Sequence, residues 1–124
     1  MLAVYVEQFN ARDFDTLRDM LVDDAKLELV GRTSVRGASG VGSYFSNYDR
    51  LTDWRMEVGR VDGRPAVLGY ETVHVTADAD TEPKPTPRPA FFVLIGWRDG
   101  RISSIRDYRY ARHVTELARF DSAV

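Results

Sequence analysis

Ala90-Phe91-Phe92-Val93-Leu94-Ile95-Gly96-Trp97-Arg98-Asp99-Gly100-Arg101-Ile102-Ser103-Ser104-Ile105-Arg106-Asp107-Tyr108-Arg109-Tyr110 is the stretch that decides the fold. Asp99-Gly100 lies between two β-rich runs, where a two-residue hairpin turn requires positive φ, so the spacing predicts antiparallel strands over 90–98 and 101–110. In the first run Phe91, Val93, Ile95 and Trp97 share one face while Phe92 and Leu94 share the other. A strand that is apolar on both sides belongs at the centre of a sheet covered on both faces.

Upstream, Asp62-Gly63 repeats the turn signal and predicts strands over 54–61 and 65–76, with Pro65 tolerated because it opens its strand. Four antiparallel strands result. Between the second and third, residues 77–89 alternate Pro83, Pro85, Pro87 and Pro89 with polar side chains, a composition that favours extended polyproline II and does not pair. This segment reads as a mobile hairpin connection, the alternative being a lid. Nearer the N-terminus, Leu2, Tyr5, Val6 and Phe9 recur at helical steps over 1–11. Asp13 then caps a second helix carrying Phe14, Leu17 and Leu21. Lys26-Leu27-Glu28-Leu29-Val30 switches to period two, followed by a short extended piece ending at Gly37. A third helix carries Val41, Tyr44, Phe45 and Tyr48 at i, i+3, i+4 and i+7, with Gly40 and Gly42 weakening its first turn. The C-terminal stretch 114–120 supports one or two helical turns.

With 124 residues, 44% hydrophobic and 29% charged, the chain has the balance of one globular domain with one core. No apolar run approaches the ~20 residues a bilayer span needs, and Glu7 and Gln8 stand where a signal peptide would be apolar, so a cytoplasmic location is expected, with no membrane association. The absence of Cys excludes a disulfide framework and a thiolate nucleophile. No cluster of His and carboxylates has metal-ligand spacing, so neither a metal nor any other cofactor is expected. A net charge of −2 speaks against direct nucleic-acid binding through phosphate neutralisation.

Helix, helix, strand, helix and a four-stranded meander make an α+β order, and the residues themselves resemble a family. Tyr5-Val6-Glu7-Gln8-Phe9-Asn10-Ala11-Arg12-Asp13-Phe14-Asp15 and Ile105-Arg106-Asp107-Tyr108 resemble the opening and closing segments of SnoaL-like domains of the nuclear-transport-factor-two-like superfamily. More narrowly, residues 61–66, 92–102 and 109–112 resemble the SnoaL-like domain found C-terminally in some extracytoplasmic-function sigma factors. The resemblance implies a cone-shaped curved antiparallel sheet wrapped round N-terminal helices, with a pocket at its open end. The sigma regions that bind polymerase and promoter are not among these residues, so the expectation is either an excised domain or a free-standing relative.

In a regular last strand Ile105, Asp107 and Arg109 share one face. A carboxylate in an apolar aromatic pocket has a raised pKa and shuttles protons next to a carbonyl, the chemistry the resemblance implies for isomerases and polyketide cyclases, which makes Asp107 the candidate base. The competing expectation is an ion pair with Arg98 or Arg55. Tyr110 stands where enzymatic relatives often carry an acidic residue, which weakens the acid–base role. Glu28 and Glu71 are possible second carboxylates or outer-face residues, and His74 a possible proton shuttle or surface residue. Tyr44, Phe45, Tyr48, Trp54, Tyr70, Phe91, Trp97, Tyr108 and Tyr110 are the candidates to line a pocket for a flat apolar ligand, although most are expected to be core. Arg98, Arg101, Arg106, Arg109 and Arg112 concentrate positive charge for an acidic partner, or form a solvated face.

Three functions follow. The leading expectation is a non-catalytic regulatory module that contacts a sigma-factor core and RNA polymerase. A cofactor-independent isomerase or cyclase using Asp107 is the alternative. The third is a binding domain for an apolar ligand, with homodimerisation through the outer sheet face.

Overall fold

The computed structural model describes residues 1–73, 84–85 and 88–122. Two helices, α1 (Leu2–Asn10) and α2 (Phe14–Asp19), form the predicted helical hairpin, and Asp13 caps α2 by accepting from the Thr16 N–H at 3.3 Å and its hydroxyl at 2.7 Å. β1 (Leu21–Leu29) and β2 (Thr33–Arg36) follow as an antiparallel pair. The expected third helix is two short ones, α3 (Ala38–Gly42) and α4 (Tyr44–Asp49), meeting at Ser43 just past the two glycines. Its apolar stripe is nevertheless intact, because Val41, Tyr44, Phe45 and Tyr48 are all buried.

β3 (Trp54–Val61) and β4 (Arg64–Val73) turn at Asp62-Gly63, while β6 (Phe91–Arg98) and β7 (Arg101–Asp107) turn at Asp99-Gly100. All four turn residues have positive φ, 49° and 81° in the first pair, 52° and 76° in the second. Two positive-φ residues give the turn whose twist matches the flanking strands. The strand order is β2-β1-β7-β6-β4-β3-β8, with β6 at the centre as its two apolar faces require. The sheet is mixed, since β1 runs parallel to β7.

Besides the split helix and the parallel β1–β7 pair in a sheet expected to be antiparallel, three further features depart from the sequence reading. Lys84–Pro85 forms β5 and pairs with Val73 and Thr72 of β4, so the proline-rich segment does pair at this point. Proline is tolerated in an edge strand because its missing N–H is not needed there. The remainder of the proline-rich segment, with His74 and Thr76, lies outside the described residues except for 88–89. After α5 (Arg112–Leu117) the chain returns as β8 (Phe120–Ser122), which pairs with Val61, Arg60 and Gly59. Third, the β6–β7 register shifts at Gly96/Trp97, a bulge that lets Ile102 and Ile105, three apart, point into the same core.

Helices α1 to α4 pack on one face of the sheet around Tyr5, Phe9, Phe45, Met56, Phe91 and Ile105. Phe92, Leu94, Leu68 and Tyr108 form a second cluster on the opposite face, beneath α5 and β8. No helix among the described residues is long and apolar enough to cross a membrane.

Gly69 faces the first core, where a Cβ would overlap the Phe91 ring. Gly69→Ala is expected to destabilise the fold by about 1–3 kcal/mol, the usual cost of overpacking. Urea unfolding measures this as a lower midpoint at unchanged slope.

Candidate functional site

Asp107 ends β7, level with Val93 of β6 and Leu29 of β1. At 1% exposure it is one of the largest fully buried side chains of the protein. A buried carboxyl needs partners, and here it has three. The Tyr44 and Tyr48 hydroxyls each donate to Oδ2 at 2.6 Å, and the Arg109 backbone N–H donates to Oδ1 at 2.7 Å. Tyr44 and Tyr48 meet one oxygen because residues four apart on α4 lie on one face, a single helical turn from each other.

α4 is itself pinned from three sides. Arg12, in the turn between α1 and α2 with φ 60°, donates to the carbonyls of Tyr48, Asp49 and Leu51 and lies 4.7 Å from the Trp54 ring centroid. The Trp54 Nε1–H donates to the Tyr48 carbonyl at 3.0 Å. Phe9 packs edge-on to the Tyr48 ring with 5.0 Å between centroids, and Asn10 clamps α1 to β3 by bonding both the N–H and the carbonyl of Met56.

Burial raises the Asp107 pKa, while the two tyrosyl hydroxyls, the Arg109 N–H and the Arg109 charge pull it back. Tyr44 and Tyr48 are pushed well above the ordinary phenol range, first by burial and then by the adjacent carboxylate. Tyr5 is raised for the same two reasons, and its buried hydroxyl has no partner among the described residues.

A cavity of about 20 Å³ opens beside Asp107, walled by Tyr44, Tyr48, Leu29, Asn47, Leu51, Arg109 and Tyr110. That is room for about one water. Tyr110 forms its outer wall; it is 47% exposed, with the Arg32 guanidinium 4.3 Å from its ring centroid. The Arg109 guanidinium lies 5.3 Å from both the Tyr48 and the Phe91 ring centroids. Larger grooves lie elsewhere, one of about 390 Å³ beside Glu28, Arg36 and Arg106, another of about 440 Å³ between Tyr70, Leu68 and Phe120. Neither contains a buried ionisable group, whereas the far smaller opening at Asp107 does.

Of the aromatic candidates, Tyr44, Tyr48 and Tyr110 gather at Asp107, with Phe91 and Trp54 packed behind Tyr48. Tyr70 borders the separate groove, Trp97 packs against the main core, and Tyr108 points through the opposite face to stack on Phe92 with centroids 4.2 Å apart. The expected ion pair of Asp107 with Arg98 or Arg55 does not form: Asp107 is buried among its three donors, while Arg98 and Arg55 are exposed beside Asp24 and Glu57. Glu28 pairs with Arg106 at 3.0 Å and Glu71 with Arg112, both at the surface rather than beside Asp107. The arginines expected to form one surface are dispersed: Arg101 donates to the Leu21 carbonyl at 2.7 Å, Arg112 to the Ala90 carbonyl at 2.9 Å, and Arg109 turns into the site. Asn47, Leu51 and Leu29 were not among the site candidates read from sequence, although Asn47 directly precedes Tyr48 on α4 and Leu29 lies in the period-two run.

A family model described as a SnoaL-like domain matches residues 2–105. The chain belongs to the SnoaL-like domain family. Asp107 and Arg109 lie just beyond the matched residues of this SnoaL-like domain, so their roles rest on geometry. Among solved structures, the domain is similar to the epoxide hydrolase/cyclase-like enzyme SalBIII of pyran ring formation in the polyether salinomycin, at 23% identity and TM-score 0.55, covering 86% of this chain and 84% of that one. An LEH-like epoxide hydrolase of M. tuberculosis gives 23% identity and TM-score 0.52 over 91% of this chain and 84% of its own. An NTF2-like protein of unknown function from Cytophaga hutchinsonii gives 13% and 0.54 over 82% and 88%. At such identities the likeness establishes the fold. No curated protein matches the sequence.

Because folding raises the Asp107 pKa, the folded SnoaL-like domain binds that proton more tightly than the unfolded chain. The resulting stabilisation is complete at low pH and is lost as pH rises from about 4, the ordinary carboxylate value, through the folded pKa. Urea unfolding at a series of pH values is expected to show this loss in the wild type and not in Asp107→Asn.

Proposed function

We propose that this chain is a cofactor-independent acid–base enzyme of the isomerase or cyclase kind, with Asp107 as the proton-transfer residue. The observation that carries this reading is a buried carboxyl, held by two tyrosines and a backbone N–H, at the edge of a cavity. An ionised carboxylate has about four acceptor positions, and the three donors leave one for a proton taken from substrate. Burial raises its basicity toward what proton abstraction next to a carbonyl requires.

In the proposed step a C–H bond α to a ketone breaks, the proton passes to Asp107 and the electron pair forms an enolate. Return of the proton to a different carbon isomerises the substrate. Attack by the enolate carbon on a second carbonyl closes a ring instead: the new C–C bond forms as the C=O π pair moves to oxygen, and the proton on Asp107 passes to that alkoxide. Tyr44 and Tyr48 hold the base in place, since their hydroxyl protons are committed to Oδ2, and the enolate oxygen is left to the side-chain amide of Asn47. Substrate enters by displacing Tyr110, the exposed wall of a cavity otherwise too small for a ketone.

The similar structures named above include an epoxide hydrolase/cyclase-like enzyme and an epoxide hydrolase, which supports an enzymatic reading over a regulatory one. The sigma-factor module expected from sequence gains no such support, and Arg98, Arg101 and Arg112, expected to form its contact surface, are engaged within the domain.

Proton NMR in D2O tests the proposal, following hydrogen–deuterium exchange next to the carbonyl of 2-oxobutanoate and of 2,3-pentanedione. The wild type is expected to accelerate exchange of at least one of them, and Asp107→Asn to lower that rate by about 10²–10⁴-fold. Equal rates in the two proteins would remove Asp107 from the mechanism. Tyr48→Phe deletes a hydrogen bond that lowers the Asp107 pKa, so the rise of rate with pH should move to higher pH.

A further inference from the structure

Arg109 has two functions in one residue. Its backbone N–H is the third donor to Asp107, while its side chain turns back along the cavity wall. The guanidinium lies over the faces of Tyr48 and Phe91, a placement that leaves its edge for planar hydrogen bonding. Nη1 is buried and has no partner among the described residues.

Arg109 is the arginine that lines the cavity, Arg32 stands outside it over the Tyr110 ring, and the arginines on neighbouring elements are held by other partners. Arg12 meets Asp49 and three carbonyls, Arg112 meets Glu71, and Arg106 meets Glu28. Arg109 forms no ion pair with a described carboxylate. The nearest acid in sequence, Asp107, has its Oδ2 filled by the tyrosines and its Oδ1 by the Arg109 main chain, and Glu71 is held by Arg112. A buried guanidinium N–H without an acceptor is costly, and a bound oxyanion relieves that cost.

We propose that Arg109 is an anion-recognition site, so that the cavity, once Tyr110 is displaced, takes a small ketone bearing a carboxylate rather than a neutral, flat, apolar ligand. This rests on the acid–base reading of Asp107 for its chemistry, although the binding can be tested separately. One carboxylate oxygen of the ligand accepts from Nη1, and the ketone beside it is brought to the Asp107 end of the same cavity. A 2-oxo acid has this spacing, with its carboxylate and its carbonyl on adjacent carbons. The charge on Arg109 also offsets the negative charge that builds on the enolate.

The test compares 2-oxobutanoate with 2,3-pentanedione, in which a methyl group replaces one carboxylate oxygen. Binding is followed by chemical-shift titration of the ¹⁵N-labelled protein, and turnover by the exchange assay. The wild type is expected to bind 2-oxobutanoate about 10- to 100-fold more tightly than the dione, the scale of one or two hydrogen bonds to a charged group. Arg109→Gln should abolish that preference, and Arg109→Lys should keep part of it, which shows that a folded site with the charge restored still selects the anion. Equal affinity for the two probes, no binding of either, or a preference that survives Arg109→Gln would overturn the proposal. Tight binding of 2-oxobutanoate without any exchange would uphold the anion site and defeat the acid–base reading. Exchange of both ketones at equal rates, unaffected by Arg109→Gln, would do the reverse.

Discussion

The Asp107 carboxyl is the constraint around which the domain is arranged. A carboxyl with 1% exposure is tolerated only where donors surround it, and all three of its donors come from fixed positions. Two are side chains of α4 and one is the main chain just past β7, so a single group ties a helix to the sheet. Holding α4 at the right height then becomes a requirement on its neighbours. Arg12 ties the carbonyls at the end of α4 to the turn after α1, Trp54 ties the same end to β3, and the Phe9 ring sets its depth.

The sheet supplies the other half of this arrangement. β6 is apolar on both faces and lies at the centre, so β7 beside it is fixed laterally between β6 and β1. The bulge at Gly96/Trp97 then sets which residues of β7 point toward the helices. Before it Ile102 faces the core, after it Ile105 and Asp107 do, and an unbroken two-residue alternation would have placed Ile102 on the opposite side from them. Tyr108, one residue on, crosses to the second cluster and stacks on Phe92, which anchors the strand end from behind.

Much of this was legible in the sequence because it depends on local rules. The Asp-Gly pairs announced both hairpins, the alternation in β6 announced its central position, and the steps between Tyr44, Phe45 and Tyr48 announced a buried helical face. Placing Asp107 on the face of Ile105 also followed from strand geometry. What remained hidden depends on the meeting of distant segments. The parallel β1–β7 pair, the bulge and the return of the chain as β8 are set by packing, and three residues of β8 carry too little pattern to read. The arginines misled for a related reason. They cluster in sequence between 98 and 112, yet strand alternation and the turn after β7 send them to Asp24, Leu21, Glu28, Glu71 and the cavity. Charge density along a chain is not charge density on a surface.

The long separation of the partners also fixes the order in which the molecule can be built. Tyr44 and Tyr48 stand 63 and 59 residues from the carboxyl they bind, and β1 must wait for β7 across a similar gap. Closing such loops costs entropy before any contact repays it, so these pairings form after the local hairpins and helices. During synthesis the aromatic helix emerges well before its acid, and until β7 docks its two phenols face the interior of an incomplete sheet. The corner at Asp107 is therefore the keystone of assembly, the last part set and the one whose arrival closes the core.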